Sequence, residues 1–110
     1  MSKRIIQINE LLREHIGDIF VHALNLKPGV LATITKVDTT PDLRRADILV
    51  SVFPESESDY VMNALKREKW KIQKALYARL YMKPLPKLSF LFDPTASKAD
   101  EIERILKSLE

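Results

Sequence analysis

The first part of the chain repeats apolar side chains at steps of three and four, which is the spacing of one face of an α-helix. Ser2 can cap the start of this helix, and Lys27-Pro28-Gly29 interrupts the pattern, so we predict a helix over residues 3–24. The apolar positions on its face are Ile5, Ile8, Leu12, Ile16, Ile19 and Ala23.

Three later segments have the composition or the alternation of β-strands. Residues 30–37 are rich in β-branched side chains, and residues 46–53 and 87–93 alternate between two sets of side chains, one of them apolar. A short run of turn-forming residues, 38–42, connects the first two segments. This arrangement predicts an antiparallel hairpin followed later by a third strand.

The longest periodic segment, residues 58–81, is helical but has a flaw in its apolar face. Glu68 falls in the middle of that face and Lys69 lies at its border. Two explanations are open. The segment is one straight helix whose charged side chains reach past the core to solvent, or it is two helices separated by a bend near residues 67–70. We favour the bend.

The order of these segments predicts a single α+β domain over residues 1–110. A last amphipathic segment at 97–109 begins with a capping-box pattern, which indicates a short C-terminal helix. The helices must cover one face of the three-stranded sheet to bury both sets of apolar residues. The predicted architecture is therefore an α-β-β-α-α-β sandwich with an additional helix at its end.

The composition excludes several classes of chemistry. With no cysteine, the chain has no disulfide, thiolate zinc site or cysteine nucleophile, and with two glycines it has no phosphate-binding glycine loop. No apolar run reaches the roughly 20 residues of a membrane helix. Residues 1–4 also lack the apolar core of a signal peptide. We therefore expect a cytoplasmic protein with no membrane partner.

One group on the first helix, His15, Asp18 and His22, has a spacing that could hold a divalent metal. These residues border the apolar face, and no second helix supplies an obvious further ligand. Such polar residues on a helix are usually solvated. We therefore expect no metal, no cofactor, no small-molecule substrate and no enzymatic activity.

Charge is concentrated in one stretch of the chain. The formal net charge is +3, yet residues 60–83 hold seven basic residues and one acidic residue, net +6, while the remainder holds 11 basic and 14 acidic residues, net −3. A stretch of this kind is typical of a surface for nucleic acid, although a solvated lysine-rich helix face has the same composition. The candidate RNA-binding residues within it are Lys66, Arg67, Lys69, Trp70, Lys71 and Lys74.

Two further candidates each have two interpretations. Trp70, if exposed between cations, can stack on an unpaired base, whereas a tryptophan packed under a helix bend would shield the junction. Arg44 and Arg45, just before the second strand, can reach RNA or can pair with Asp42 and Asp47.

Three parts of the chain resemble the ribosome-binding factor A family of bacterial small-subunit assembly factors. Residues 37–52, Val-Asp-Thr-Thr-Pro-Asp-Leu-Arg-Arg-Ala-Asp-Ile-Leu-Val-Ser-Val, are similar to the family's hairpin, in which an S/T-P-D-L-R turn and an alanine lead into a strand ending in Val-Ser-Val. Residues 86–93, Pro-Lys-Leu-Ser-Phe-Leu-Phe-Asp, are similar to its last strand, P-x-L-x-F-x-x-D. The first helix has the same place and length, so the resemblance spans Arg4 to Leu109.

The resemblance implies a type II KH-like domain of order α-β-β-α-α-β that binds the small (30S) ribosomal subunit and its 16S rRNA. It also implies a role in ribosome biogenesis during late maturation and rRNA processing, a link to cold adaptation, and no catalysis. We expect a monomer, because nothing in the sequence predicts a coiled-coil seam.

The sequence departs from the family at the helix junction. RNA-binding KH domains carry a G-x-x-G loop there and this family an Ala-x-Gly kink, whereas the matching positions here are Glu68, Lys69 and Trp70. The missing glycine and the modest net charge keep a second hypothesis open. In that hypothesis the chain is a KH-like protein-interaction module that has lost RNA binding.

Overall fold

The computed structural model of the chain describes residues 2–82 and 85–94. Within these ranges two α-helices and one three-stranded sheet form the α+β architecture that the sequence predicts. The helix predicted at 97–109 lies outside the described residues. In chain order, the elements are α1 (Lys3–Ala23), β1 (Leu31–Thr39), β2 (Arg45–Phe53), a short 3₁₀ helix (Glu55–Glu57), α2 (Ser58–Arg79) and β3 (Lys87–Phe92).

The first helix, α1, begins at a side-chain cap and buries one face along its length. Ser2 Oγ accepts a hydrogen bond from the Ile5 amide at 3.2 Å, which satisfies one of the free donors of the first turn. The chain becomes extended at Leu24, and Gly29 then adopts a positive φ of 86°. The buried residues of α1 are Ile8, Leu12, Ile16, Ile19 and Phe20.

The sheet has the order β1-β2-β3, with β1 antiparallel and β3 parallel to the central strand. A bulge at Thr35 shifts the β1–β2 register between Ile34 and Lys36. Alternate residues of β2 face the helices and are buried, whereas Phe53 and Leu91 are exposed on the other face. The buried residues of β2 are Ala46, Ile48, Val50 and Val52.

The second helix, α2, runs without interruption from Ser58 to Arg79, so the bend near residues 67–70 that the sequence favoured is wrong. Leu65 and Ile72, on either side of the expected bend, are both fully buried, because a straight helix brings them to the same side. The observed order is therefore α-β-β-α-β, with one helix in place of the predicted pair.

Glu68 fits into a straight helix because its carboxylate reaches the flank of α2. Oε1 lies 3.5 Å from Arg67 Nε, and Oε2 lies 3.1 Å from Lys71 Nζ. Oε2 is buried and has no aligned hydrogen bond, so its contact with Lys71 is ionic only. Two neighbouring cations thus offset the cost of a carboxylate placed at the edge of the core.

Side-chain hydrogen bonds build the turn between β1 and β2. The Thr40 hydroxyl donates to Asp42 Oδ1 at 2.7 Å, and the Arg44 amide donates to the same oxygen at 3.1 Å. The Arg45 amide donates to Thr40 Oγ1, also at 3.1 Å. Leu43 adopts a positive φ of 62°, uncommon for a residue with a Cβ, while its side chain packs against the core. The Thr-Pro-Asp-Leu-Arg sequence therefore fixes the backbone that carries both arginines.

A glycine at position 70 tests the continuity of α2. Trp70→Gly should lower the free energy of unfolding by about 1 kcal/mol relative to Trp70→Ala, because glycine loses more backbone entropy in a helix interior. Urea denaturation followed by circular dichroism measures the difference, and both variants lack the contacts of the indole. A glycine variant as stable as the alanine variant, or more stable, would show that the backbone turns at this position.

The hairpin turn should respond to pH through Asp42. Hydrogen bonds from the Thr40 hydroxyl and from the Arg44 amide lower the pKa of Asp42. The carboxylate therefore stabilises the fold fully above its unfolded pKa of about 4, and this contribution is lost as the pH falls through the folded pKa. Asp42→Ala should lower the thermal midpoint at pH 7 and lower it less at pH 2.

Asp42→Asn is the matched control, because it keeps an acceptor oxygen without the titrating charge. Calorimetry of the parent and both variants at the two pH values gives the comparison. A difference between the parent and the alanine variant that is the same at pH 7 and pH 2 would contradict a role for the ionised carboxylate.

Candidate nucleic-acid interface

The outward side of α2 carries cations around an exposed tryptophan. Lys66, Trp70 and Lys74 follow one another at intervals of four residues, so they lie along one side of the helix, away from the buried Ile72. Trp70 is 61% exposed, so the alternative in which it packs beneath a bend is wrong. We define the α2 surface as Lys66, Arg67, Lys69, Trp70, Lys71 and Lys74.

Glu68 divides the cations of this surface into a paired and an unpaired group. Arg67 and Lys71 lie within 3.5 and 3.1 Å of its carboxylate, and both remain exposed. Because one oxygen of this carboxylate is buried, moving either cation to a phosphate would leave it with less compensation. The members that make no ion pair with any described residue are Lys66, Lys69 and Lys74.

The structure separates the two arginines that precede β2. Arg45 Nε lies 2.9 Å from Asp47 Oδ1, so this residue is paired, as one of the two interpretations expects. Asp42 contacts Arg44 differently, because its Oδ1 accepts a hydrogen bond from the Arg44 backbone amide and the guanidinium charge acts on the carboxylate from beyond ion-pair distance. Arg44 is exposed, and its guanidinium makes no ion pair within the described part of the chain.

Hydrogen bonds connect α2 to the strand end that lies beside Arg44. Gln73 Nε2 donates to the Pro86 carbonyl at 2.9 Å, and Gln73 Oε1 accepts from the Leu88 amide at 3.2 Å. Between those two residues, the Lys87 amide donates to the Arg44 carbonyl at 2.9 Å. The structure therefore brings Arg44 and the C-terminal half of α2 to the same end of β3.

Two exposed residues outside the predicted set lie in or near this region. Tyr77 is 54% exposed and lies two turns after Trp70 on the same side of α2. Lys87 is exposed next to Arg45, its partner in the β2–β3 register, on the face of the sheet opposite the helices. The interval of seven residues between Trp70 and Tyr77 is a usable sequence signal. The position of Lys87 depends on strand pairing, which the sequence does not show.

Asp18 forms an ion pair that connects α1 to α2. Its Oδ2 accepts a hydrogen bond from Arg79 Nη1 at 2.6 Å, and this bond together with the guanidinium charge lowers the pKa of Asp18. Within residues 2–82 and 85–94, no three side chains of His, Cys, Asp or Glu are grouped so as to hold a metal ion, and this includes His15 and His22.

Over the same ranges, no helix has the length and apolar character needed to cross a membrane.

Known proteins are similar in sequence to this chain over nearly its whole length. The family described as Ribosome-binding factor A matches residues 4–106. The ribosome-binding factor A of Chlorobaculum tepidum is 34% identical, over 100% of this chain and 93% of the relative. That of Pelagibacter ubique is 32% identical, over 97% of this chain and 90% of the relative.

Known structures of such proteins have a similar fold. The crystal structure of ribosome-binding factor A from Thermus thermophilus matches with a TM-score of 0.68 and 25% identity, covering 80% of this chain and 93% of that one. A homology model of the Thermus thermophilus factor, fitted into a cryo-electron-microscopy map of its complex with 30S, matches with a TM-score of 0.64 and 29% identity, covering 74% of this chain and 87% of that one. With its sequence matched almost from end to end and its fold shared, the chain belongs to the ribosome-binding factor A family.

Proposed function

We propose that this chain is a non-catalytic factor that binds the immature small ribosomal subunit through its 16S rRNA and assists late maturation and rRNA processing. The observation that carries the proposal is the α2 surface, where lysines without an ion pair among the described residues surround the exposed Trp70. The relative whose coordinates were fitted into a map of a 30S complex supports the choice of partner.

The cations of the α2 surface bind RNA phosphates and displace counterions, which gives an affinity that does not depend on base sequence. The buried side chains Leu65, Ile72 and Leu76 hold α2 against the core, so the cations approach the RNA as a fixed row. Arg44 lies at the start of β3, next to the strand end that Gln73 of α2 binds. Binding therefore orders side chains but does not have to order the helix itself.

Binding energy, rather than bond chemistry, performs this function. A factor that binds one conformation of the maturing subunit more tightly than the others increases the population of that conformation. The size of the shift is set by the difference between the two affinities. One copy of the chain is sufficient, because the surface lies on one helix and an adjacent strand end. The cytoplasm, where subunits mature, is the corresponding location.

A second candidate function, a protein-interaction module, is favoured by an apolar groove between α1 and β1. The groove has a volume of about 400 Å³, and Val21 and Leu31 at its border are 75% and 64% exposed. A gel shift with small-subunit RNA at low salt discriminates between the two functions. Absence of a shift favours the interaction module, whereas a shift that salt abolishes favours the RNA-binding factor.

Co-sedimentation with small subunits at rising salt tests the RNA-binding proposal. The double variant Lys66→Glu, Lys74→Glu should lower the affinity about tenfold or more, because two phosphate contacts are lost and repulsion is added. The slope of log affinity against log salt should become shallower by about 2, or one unit for each lost contact. Both quantities come from the bound fraction measured at several salt concentrations.

The double variant Lys3→Glu, Lys36→Glu is the matched control. It changes the net charge by the same amount, at exposed lysines on α1 and β1, and should leave affinity and salt slope near those of the parent. An equal loss in both double variants would show that net charge, and not the α2 surface, drives association. No loss in the α2 variant would exclude this surface.

A further inference from the structure

Aromatic and basic side chains alternate along the outward side of α2. Lys66 lies one turn before Trp70, Lys74 one turn after it, and Tyr77 nearly one turn further on. Trp70 and Tyr77 are 61% and 54% exposed, so most of each ring does not contribute to the core. Between Asn63 and Ala78 the only acidic residue is Glu68, whose carboxylate lies on the inner flank of the helix with 20% of its side chain exposed.

We propose that this side of α2 holds an unpaired segment of RNA, with one base stacked on Trp70, a second on Tyr77, and phosphates beside Lys66 and Lys74. This inference rests on the proposed function and specifies which form of RNA the surface takes. Charge complementarity selects a polyanion, and two exposed aromatic faces select a polyanion that also offers flat apolar rings. Unpaired RNA has both properties.

A double helix would not use the rings. In an A-form duplex the base faces are stacked inside, so the helix offers phosphates and hydroxyl groups to a protein but no free base face. The exposed rings would then add nothing to the attraction between lysines and phosphates. The geometry therefore favours a single strand, whose bases can turn outward to meet Trp70 and Tyr77.

The spacing of the rings sets a minimum length for the RNA. Trp70 and Tyr77 are about 10 Å apart along the helix axis, which corresponds to about three stacked base steps of 3.4 Å. The two rings therefore cannot enclose one base and must take separate bases of the same strand. Lys71 Nζ lies over the Trp70 ring, 5.7 Å from its centroid, so the base stacks on the opposite face of the indole.

The fluorescence of Trp70 reports directly on this contact, because it is the single tryptophan of the chain. An eight-nucleotide oligouridylate should quench it on binding, whereas an RNA duplex of equal phosphate number should bind with little quenching. A two-nucleotide uridylate has fewer phosphates and cannot reach both rings. Its affinity should therefore fall below that of the octamer by more than the difference in charge predicts. Anisotropy of labelled RNA measures the affinities independently.

Two substitutions at one position separate stacking from charge. Tyr77→Leu should weaken octamer binding about tenfold, which is the effect of losing one stacked base, and should leave duplex binding unchanged. Tyr77→Phe is the matched control and should bind as the parent does, because it keeps the ring. Both variants alter an exposed side chain, so neither removes core packing.

The outcomes distinguish this inference from the proposed function. Equal binding of octamer and duplex, with no effect of Tyr77→Leu, would overturn the stacking role even if the lysine variants still lost subunit binding. Polyglutamate that quenched Trp70 as strongly as the octamer would also overturn it and would assign the surface to an acidic protein. A failure of the proposed function would give a different result, because the double variant Lys66→Glu, Lys74→Glu would then bind the subunit as tightly as the parent.

Discussion

The burial of one side of α2 against the sheet is the constraint on which the surface of this protein depends. Leu65, Ile72 and Leu76 have no exposed area, and each successive residue of a helix turns by about 100°. Once these three side chains are fixed inward, the directions of all the others follow. The cations and the exposed rings therefore form a surface as a consequence of core packing, with no separate contacts needed to arrange them.

Gln73 adds a second constraint, because it binds the main chain of β3 on both sides of Lys87. Its side-chain amide donates a hydrogen bond to the Pro86 carbonyl and accepts one from the Leu88 amide. Movement of α2 along the strand would break both bonds. This sets the position of α2 along its own axis relative to the sheet. The row of cations on α2 and the cation Arg44 at the hairpin thus have a fixed separation.

The strands and α1 could be predicted from the sequence because each has a clean period and a marked end. The alternating residues of β2 and the cap at Ser2 are examples. The continuity of α2 could not be predicted in the same way. A helical projection locates the Cβ of Glu68 but not its carboxylate, which lies at the edge of the core beside Arg67 and Lys71.

The candidate site shows the same limit. The basic stretch and Trp70 were visible as composition and spacing, but exposure depended on whether the helix bends. Whether Arg44 is paired depends on the turn, in which the hydrogen bonds to Asp42 come from the Thr40 hydroxyl and the Arg44 amide. Such competition between backbone and side chain for one carboxylate is decided by three-dimensional geometry and leaves no trace in spacing.

The bulge at Thr35 has a consequence for the assembly of this protein with itself. β1 forms one edge of the described sheet, and an edge strand offers its free backbone groups to any second strand. Thr35 interrupts the regular ladder and donates a hydrogen bond to Asp93 at 2.7 Å, while the charged Lys36 and Asp38 stand exposed beyond it. An incoming strand would meet an irregular, charged border instead of a flat template, which disfavours edge-to-edge pairing of two copies along this part of β1.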